Sequence, residues 1–375
     1  MTILDRYMLR SFLFNFIGWN CCFVGIFVIF DLFANLDTLI QAGKAAHNIP
    51  KVIFLYYLFK SIPIIMMLSS VLSLVAAMVT VAMLMRNNEF VPMQAAGVSS
   101  LRIIRPLILA VLCMTAMFCL ARECLLPNIQ DKIDREAAEI AEYKGTLFNV
   151  TIDGETNVQL LGDRVFRSQR RISQPEFEFP KTITKQALRL TADEAFHKRA
   201  TKSRPAGYLL TGVREKNILH GPSLMWNDKP ILVTPQDADY LEPDQCFVVS
   251  NVPFESLASA NAWQYATLWS LVSAARNKSL DVGTSMHALI HSRITQPILD
   301  MTLLFLGLPV LLASRDRNVF KAMGVSSLIL IAFLFVCYAS QFVGVSSGMP
   351  VLGAWLPMMI FVPIAVNQFF LLKET

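Results

Sequence analysis

His287 and His291 stand four residues apart, a spacing that sets two imidazoles on one helical face and could hold a metal ion. No Glu of an H-E-x-x-H motif and no third ligand accompany them, so they read as histidines at a membrane interface. Gly344-Val345-Ser346-Ser347-Gly348 matches the G-x-S-x-G pattern of a serine nucleophile, which functions only at a strand-to-helix elbow. Here it lies between two long apolar stretches with no His and acid near it, and is expected to be a small-residue turn in a loop. No G-x-x-x-x-G-K-[ST] run occurs, so the chain has no phosphate-cradling loop of that kind. Asp300 is the one ionisable residue well inside an apolar stretch, where a charge is a functional candidate by default. It could relay protons in a secondary transporter, pair with Arg293, or bond a polar group on a neighbouring helix. A lone acid makes a poor relay, so a structural role is preferred. No catalytic residue, metal or cofactor is expected.

The most informative polar stretch is Arg86-Asn87-Asn88-Glu89-Phe90-Val91-Pro92-Met93-Gln94-Ala95-Ala96. It is too polar to enter a bilayer, yet as a short amphipathic helix it would offer Phe90 and Met93, with Glu89 beside them, to a groove on a partner protein. A helix lying on lipid usually carries Lys or Arg along its polar face, whereas Glu89 is central here, so partner docking is favoured. The adjoining Ala95-Ala96-Gly97-Val98-Ser99-Ser100-Leu101 is echoed by Ala322-Met323-Gly324-Val325-Ser326-Ser327-Leu328. A Gly for a tight turn followed by a Ser N-cap explains both copies.

The elements that must position these residues follow from composition. Of 375 residues, 54% are hydrophobic and only 16% charged, against about 25% charged in a soluble domain, and the mean hydropathy is +0.48. The net charge of +5 forms no concentrated basic patch, so no nucleic-acid partner is expected. A helix needs about 20 apolar residues to cross the hydrocarbon core, and the stretches 12–30, 62–85, 106–121, 294–314, 322–345 and 351–372 qualify or nearly do. With the N-terminus cytoplasmic, the inside segments carry Arg6, Arg10, Arg86, Arg102, Arg105, Arg315, Arg317, Lys321 and Lys373, against Lys44, Lys51 and Lys60 outside, which satisfies the positive-inside bias. Both termini are then cytoplasmic. The first apolar run ends Ile29-Phe30-Asp31, not a small-x-small site, so no cleaved signal is expected. Asp31 and Asp37 flank its outer end as solvated acids.

The long polar insert, residues 122–293, then faces the outer compartment between the third and fourth spans. It opens with helical spacing over 128–143, a continuation of the third span. Short runs at 146–152, 158–166, 207–213 and 246–250, separated by Pro, Gly, Asp and Asn, are expected to be antiparallel strands of a sandwich or jelly roll. Residues 256–277 and 285–291 look helical again. Five of the seven cysteines lie in apolar runs; only Cys124 and Cys246 lie in polar sequence, where a disulfide would need an oxidising compartment and is the less favoured reading. The fold class expected is a polytopic α-helical membrane protein: six transmembrane helices with an extracytoplasmic β-jelly roll between the third and fourth. Its parts are a first transmembrane half (1–122), the β domain with flanking helices (123–290) and a second transmembrane half (291–375).

Taken together, these residues resemble the lipopolysaccharide-export permeases. The resemblance rests on the opening Leu4-Asp5-Arg6-Tyr7-Met8-Leu9-Arg10 and on Asn88-Glu89-Phe90-Val91-Pro92-Met93-Gln94-Ala95-Ala96-Gly97, which matches the family's [SN]-E-[LF]-x-x-[ML]-[RQ]-A-x-G signature. It rests also on the outer insert, on His291-Ser292-Arg293-Ile294-Thr295-Gln296-Pro297 leading into the fourth span, and on a Leu306-Gly307-Leu308-Pro309 turn within it. Membership implies a subunit of an ATP-driven exporter in a bacterial inner membrane, paired with a second permease paralogue and a separate cytoplasmic ATPase. It implies that lipid passes through the jelly roll to a periplasmic bridge protein of similar fold, and that the first and fifth spans form a lateral gate. The coupling helix, with partner-binding residues Arg86, Glu89, Phe90, Met93, Gln94 and Gly97, would receive the ATPase, Glu89 accepting a basic side chain. Two departures stand out: Pro92 replaces an ordinary helix former, and Asp31 and Asp37 stand where family members often have Lys. Two rival readings are a proton-coupled secondary transporter using Asp300 and a membrane-anchored sensor or assembly factor whose β domain binds a ligand.

Overall fold

The computed structural model describes residues 3–45, 47–133, 146–184, 188–201, 204–227, 229–238, 240–258, 262–280, 283–313 and 319–374. The chain begins with α1 (Ile3–Ala45), α2 (Ile49–Arg86), the short α3 (Phe90–Ala95), α4 (Ser100–Cys124) and α5 (Leu126–Ile133). Strands β1 (Thr146–Leu147), β2 (Thr151–Ile152), β3 (Gln159–Leu161), β4 (Arg164–Phe166), β5 (Arg171–Ser173), β6 (Glu176–Phe179), β7 (Leu188–Thr191), β8 (Glu194–Lys198) and β9 (Gly207–Thr211) follow. After α6 (Lys216–Leu219) come β10 (Leu224–Trp226), β11 (Lys229–Val233) and β12 (Cys246–Val249). The helices α7 (Phe254–Ala258), α8 (Ala262–Tyr265) and α9 (Leu268–Ala275) precede α10 (Gly283–Ala313), α11 (Val319–Ser346) and α12 (Pro350–Glu374). Residues 1–36, 57–126 and 287–375 form one compact unit; residues 37–56 and 127–286 form the other.

Among the described residues six helices, α1, α2, α4, α10, α11 and α12, are long and apolar enough to cross a membrane. At 1.5 Å per residue, the 43-residue α1 extends about 65 Å, well beyond a hydrocarbon core of about 30 Å. It kinks at Asn35, whose φ of −115° and ψ of 17° leave the helical region. The Asn35 amide donates to the Asp31 carbonyl at 3.0 Å, a side chain competing for a backbone acceptor. Asp31 is not the solvated acid expected. Tyr57 Oη donates to it at 3.1 Å and Lys60 Nζ pairs with it at 3.4 Å, across the α1–α2 contact. Helix α4 begins at Ser100, so Leu101 to Ile104 do extend the third span and Pro106 sits inside it.

Two expected turns are helical. Leu306 to Pro309 lie within α10, and the glycine there serves close packing instead: a Cβ on Gly307 would stand 2.8 Å from Leu74 Cδ1 on α2. The second Gly-Val-Ser-Ser copy lies within α11. Its Ser326 is fully buried and donates to the Gly307 carbonyl at 3.2 Å, so it ties α11 to α10 and caps nothing. The Gly344 to Ser346 part of the G-x-S-x-G run is also helical; Gly344 packs on Gly353 of α12.

In the other unit every strand pairing is antiparallel. The larger sheet runs β1-β4-β5-β8-β9-β12-β11-β10 and the smaller β2-β3-β6-β7. They share a core in which Phe177 of β6 meets Tyr208 of β9 with ring centroids 5.8 Å apart. The expected runs 146–152 and 158–166 are each divided between the two sheets. A residue-by-residue alternation marks a strand but not the sheet to which it belongs. The second division falls at Gly162, where a Cβ would stand 2.8 Å from Ile172 Cγ2.

Strand β12 carries Cys246, fully buried, and burial pushes its thiol up to about 12. None of the seven cysteines is in a disulfide. The expected helix over 128–143 appears as α5, separate from α4, and the rest of it lies outside the described residues, as do Arg315 and Arg317. Within the expected helix over 256–277 the described residues form α7, α8 and α9; α9 starts afresh at Thr267, whose hydroxyl accepts from Ser270 N at 3.1 Å.

Candidate functional site

The connection from α2 to α4 is built from two tight helix ends. Helix α2 ends at Arg86; Asn88 takes φ +54°, a left-handed conformation that Asn tolerates better than most side chains. Asn88 N then bonds Met85 O at 3.1 Å and Glu89 N bonds Leu84 O at 3.1 Å, the paired bonds of a Schellman end. Helix α3 ends in the same way. Gly97 takes φ +83°, its N–H bonds Gln94 O at 2.9 Å, and Val98 N bonds Met93 O at 3.1 Å. Pro92 does not interrupt the helix, because it lies in the first turn, where no intrahelical N–H is required, and its carbonyl accepts from Ala96 N at 3.0 Å.

This geometry corrects the expected docking face. Phe90 is only 5% exposed and belongs to the same buried cluster as Met8, Phe12, Leu84 and Ile103, with Met93 packed on it. Both side chains anchor the helix and turn away from solvent. Gln94 Nε2 donates to the Ser100 hydroxyl at 2.9 Å, which joins α3 to the start of α4. Arg86 and Gly97 are exposed, Glu89 half-buried. The outward surface is completed by Val91 (66% exposed), Pro92, Ala95 and Ala96. The clue was in the sequence: Gly97 and Asn88 fix the turns, and Phe90, three residues before Met93, gives the inward spacing.

The second expected site divides into two. Arg293, 6% exposed, pairs with Glu123 at 3.7 Å and not with Asp300. Beside it Arg122 Nη1 donates to Gln296 Oε1 at 2.6 Å, and Arg122 Nη2 lies 3.5 Å from the Arg293 carbonyl. That carbonyl is the one Pro297 leaves without its i+4 donor, so a neighbouring helix re-satisfies the backbone at a proline inside a span. Asp300 instead stands beside the Ser70 side chain on α2. His291 Nδ1 accepts from Trp355 Nε1 at 3.4 Å, while His287 is exposed. Among the described residues no group of three or more His, Cys, Asp or Glu could hold a metal.

Comparison with known proteins agrees with this arrangement. No curated protein matches the chain. The sequence profile described as lipopolysaccharide export system permease LptF/LptG matches residues 6–373, from the first turns of α1 to the end of α12. With six membrane-capable helices, a two-sheet region between the third and fourth of them and a capped polar helix between the second and third, this multi-pass membrane protein belongs to the LptF/LptG family of lipopolysaccharide export permeases.

Proposed function

We propose that the chain is one permease subunit of an ATP-driven exporter that lifts lipopolysaccharide or a similar lipid out of an inner membrane. A separate cytoplasmic ATPase docks on the element 86–97, Glu89 accepting a basic side chain of that partner. A second permease completes the transport path. The two-sheet unit faces the periplasm, where, read as a jelly roll, it passes lipid to a bridge protein of similar fold. Both termini lie in the cytoplasm. The chain itself performs no hydrolysis.

The observation that carries this reading is the construction of α3. A six-residue helix is too short to be stable alone, yet this one is fixed by two Schellman ends and a buried Phe90 while Val91, Pro92, Ala95 and Ala96 remain uncovered. A rigid, polar-edged helix between two spans suits the transfer of movement from a partner. The membership of the family supports the lipid class. Glu89→Arg tests the docking: in the complex assembled with its ATPase, lipid-stimulated ATP hydrolysis is expected to be lost while membrane insertion is unchanged. Unaltered stimulation would overturn the reading.

A further inference from the structure

The strand-rich unit divides its charge between the two ends of the larger sheet. At one end stand the β4–β5 turn, residues 167–170, and the end of β8 with the β8–β9 turn, residues 198–206. They carry Arg167, Arg170, Lys198, Arg199, Lys202 and Arg204 and no acid. The register sets them side by side: Phe166 pairs with Arg171, Arg171 with Phe196, and Lys198 with Gly207. The His197 N–H donates to the Arg170 carbonyl at 3.0 Å. Arg199 is exposed, and Arg167, Arg170, Lys198 and Arg204 are half-buried; Lys202 lies outside the described residues. Glu255 offsets one of these charges, 3.9 Å from Arg170.

The opposite end is acidic. Its turns carry Asp163, Asp193, Glu215, Glu242 and Asp244, against one base, Arg214. Asp193 pairs with that arginine at 3.2 Å, and the Val213 N–H donates to the Asp244 carbonyl at 3.2 Å. The path of the chain singles out the basic end. It enters the sheet at Thr146, opposite Val165 and beside the β4–β5 turn, and leaves β12 at Val249, opposite Gly207. The segment before Thr146 comes from α4 and the one after Val249 runs on to α10. Both tethers to membrane-capable helices therefore meet the sheet at its basic end.

We propose that residues 167–170 and 198–206 form a docking surface for the phosphate headgroups of anionic phospholipid in the bilayer that holds the six spans. Guanidinium groups match phosphate oxygens in pairs, and an anionic surface attracts a basic cluster within about a Debye length. The same field repels the acidic end, so the polarity of the unit decides which end meets lipid. Two tethers at the basic end raise its effective concentration at the bilayer, which favours a membrane headgroup over a free anion. The inference needs the strand-rich unit to stand in water beside the bilayer and is independent of ATPase docking at 86–97.

The test is hydrogen exchange of the full chain in nanodiscs of phosphatidylcholine, with and without phosphatidylglycerol. Exchange in 167–170 and 198–206 is expected to slow when the anionic lipid is present and to recover in high salt. Arg199→Gln should reduce the slowing about fivefold, the share of one basic side chain at an anionic surface, and Arg199→Glu should reduce it further. Asp163→Asn, at the acidic end, should leave it unchanged, and native exchange in β6 and β9 reports that each variant is folded. Equal exchange in the two kinds of disc, or slowing that survives Arg199→Glu, would overturn the proposal. So would the same slowing by inorganic phosphate added to phosphatidylcholine discs, which would assign the surface to a free anion. Slowing that appears only when another protein co-purifies would assign it to a protein partner and overturn the lipid.

Discussion

The two compact units place apolar residues in opposite ways. In the helical unit large apolar side chains stand on the outside, Phe14 79%, Phe30 74%, Phe335 71% and Phe342 75% exposed. Small polar ones are turned inward there: Ser69, Ser73, Thr80, Thr302 and Ser326 are buried. Several of them donate to carbonyls one turn back on the same helix: Ser73 to Ser69 at 2.6 Å, Thr80 to Ala76 at 2.7 Å. In the strand-rich unit the largest side chains, Phe177, Phe179, Tyr208 and Phe247, are inside, and charged pairs such as Arg171–Glu194 and Arg189–Glu176 line the surface. A chain that shows Phe to its surroundings in one unit and Arg–Glu pairs in the other meets two solvents, lipid and water. Among the described residues of the strand-rich unit one acid is fully buried, Asp153, and it is satisfied by Ser250 Oγ at 2.6 Å and Glu155 N at 2.9 Å. These bonds sit beside the bridge from Asp153 to Leu280 that fixes the return toward α10.

The sharpest way to break this contrast is to open the water-solvated core. Phe177→Ala should destabilise the strand-rich unit by about 3–5 kcal/mol, read as loss of hydrogen-exchange protection in β6 and β9 with the helices unaffected. Phe335→Arg places a charge on the lipid-solvated surface of α11 and should make insertion of that span about 2.5–3.5 kcal/mol less favourable, measured by a glycosylation-mapped insertion assay. Gly307→Ala forces a Cβ against the Leu74 tip; because that tip can turn, the expected cost is near the low end of overpacking, about 1 kcal/mol, seen in thermal unfolding in detergent.

A smaller effect comes from His197. Its ring meets Tyr208 edge-on at 5.2 Å and Phe254 at 6.0 Å. Burial, then the positive charges of Arg170 and Arg199, hold its imidazole below the usual histidine value, partly opposed by Glu255. The neutral ring is therefore the one the fold accepts. Stability of the strand-rich unit should be constant above about pH 6.5 and should fall as the pH drops through the lowered folded value, a loss that His197→Phe removes. Exchange rates of the β8 amides across that range provide the check. The smallest change is expected for Val150→Arg, a residue 59% exposed in the strand-rich unit. Stability should move by no more than about 0.5 kcal/mol, the counterpart of Phe335→Arg in the other solvent.

The six spans were legible because lipid demands long uncharged runs, a signal carried by every residue of each helix. What escaped the sequence were departures inside those runs: Gly307 and Ser326 looked like turn and cap residues, but served helix contacts. The strands were legible in number better than in arrangement. Segment 146–152 reads as one strand, since nothing in its alternation says that Phe148 to Val150 cross from one sheet to the other. The short polar helix between the second and third spans was legible in its composition, and its orientation was not. Phe90 and Met93 are the residues an amphipathic helix would show to a partner in isolation, but a neighbouring bundle core covers them first. The pairing of Asp31 with Tyr57 and Lys60 joins residues far apart in sequence, beyond any local pattern.

The account depends on residues 86–97 and the strand-rich unit lying on opposite sides of one membrane. Single Val91→Cys and Lys181→Cys substitutions, both at exposed positions, test this with the exposed native thiols Cys21, Cys22, Cys113 and Cys124 replaced by Ala. In sealed inverted vesicles a membrane-impermeant maleimide should label Val91→Cys at once and Lys181→Cys only after detergent opens the vesicles. Labelling of both from the same side would contradict the account.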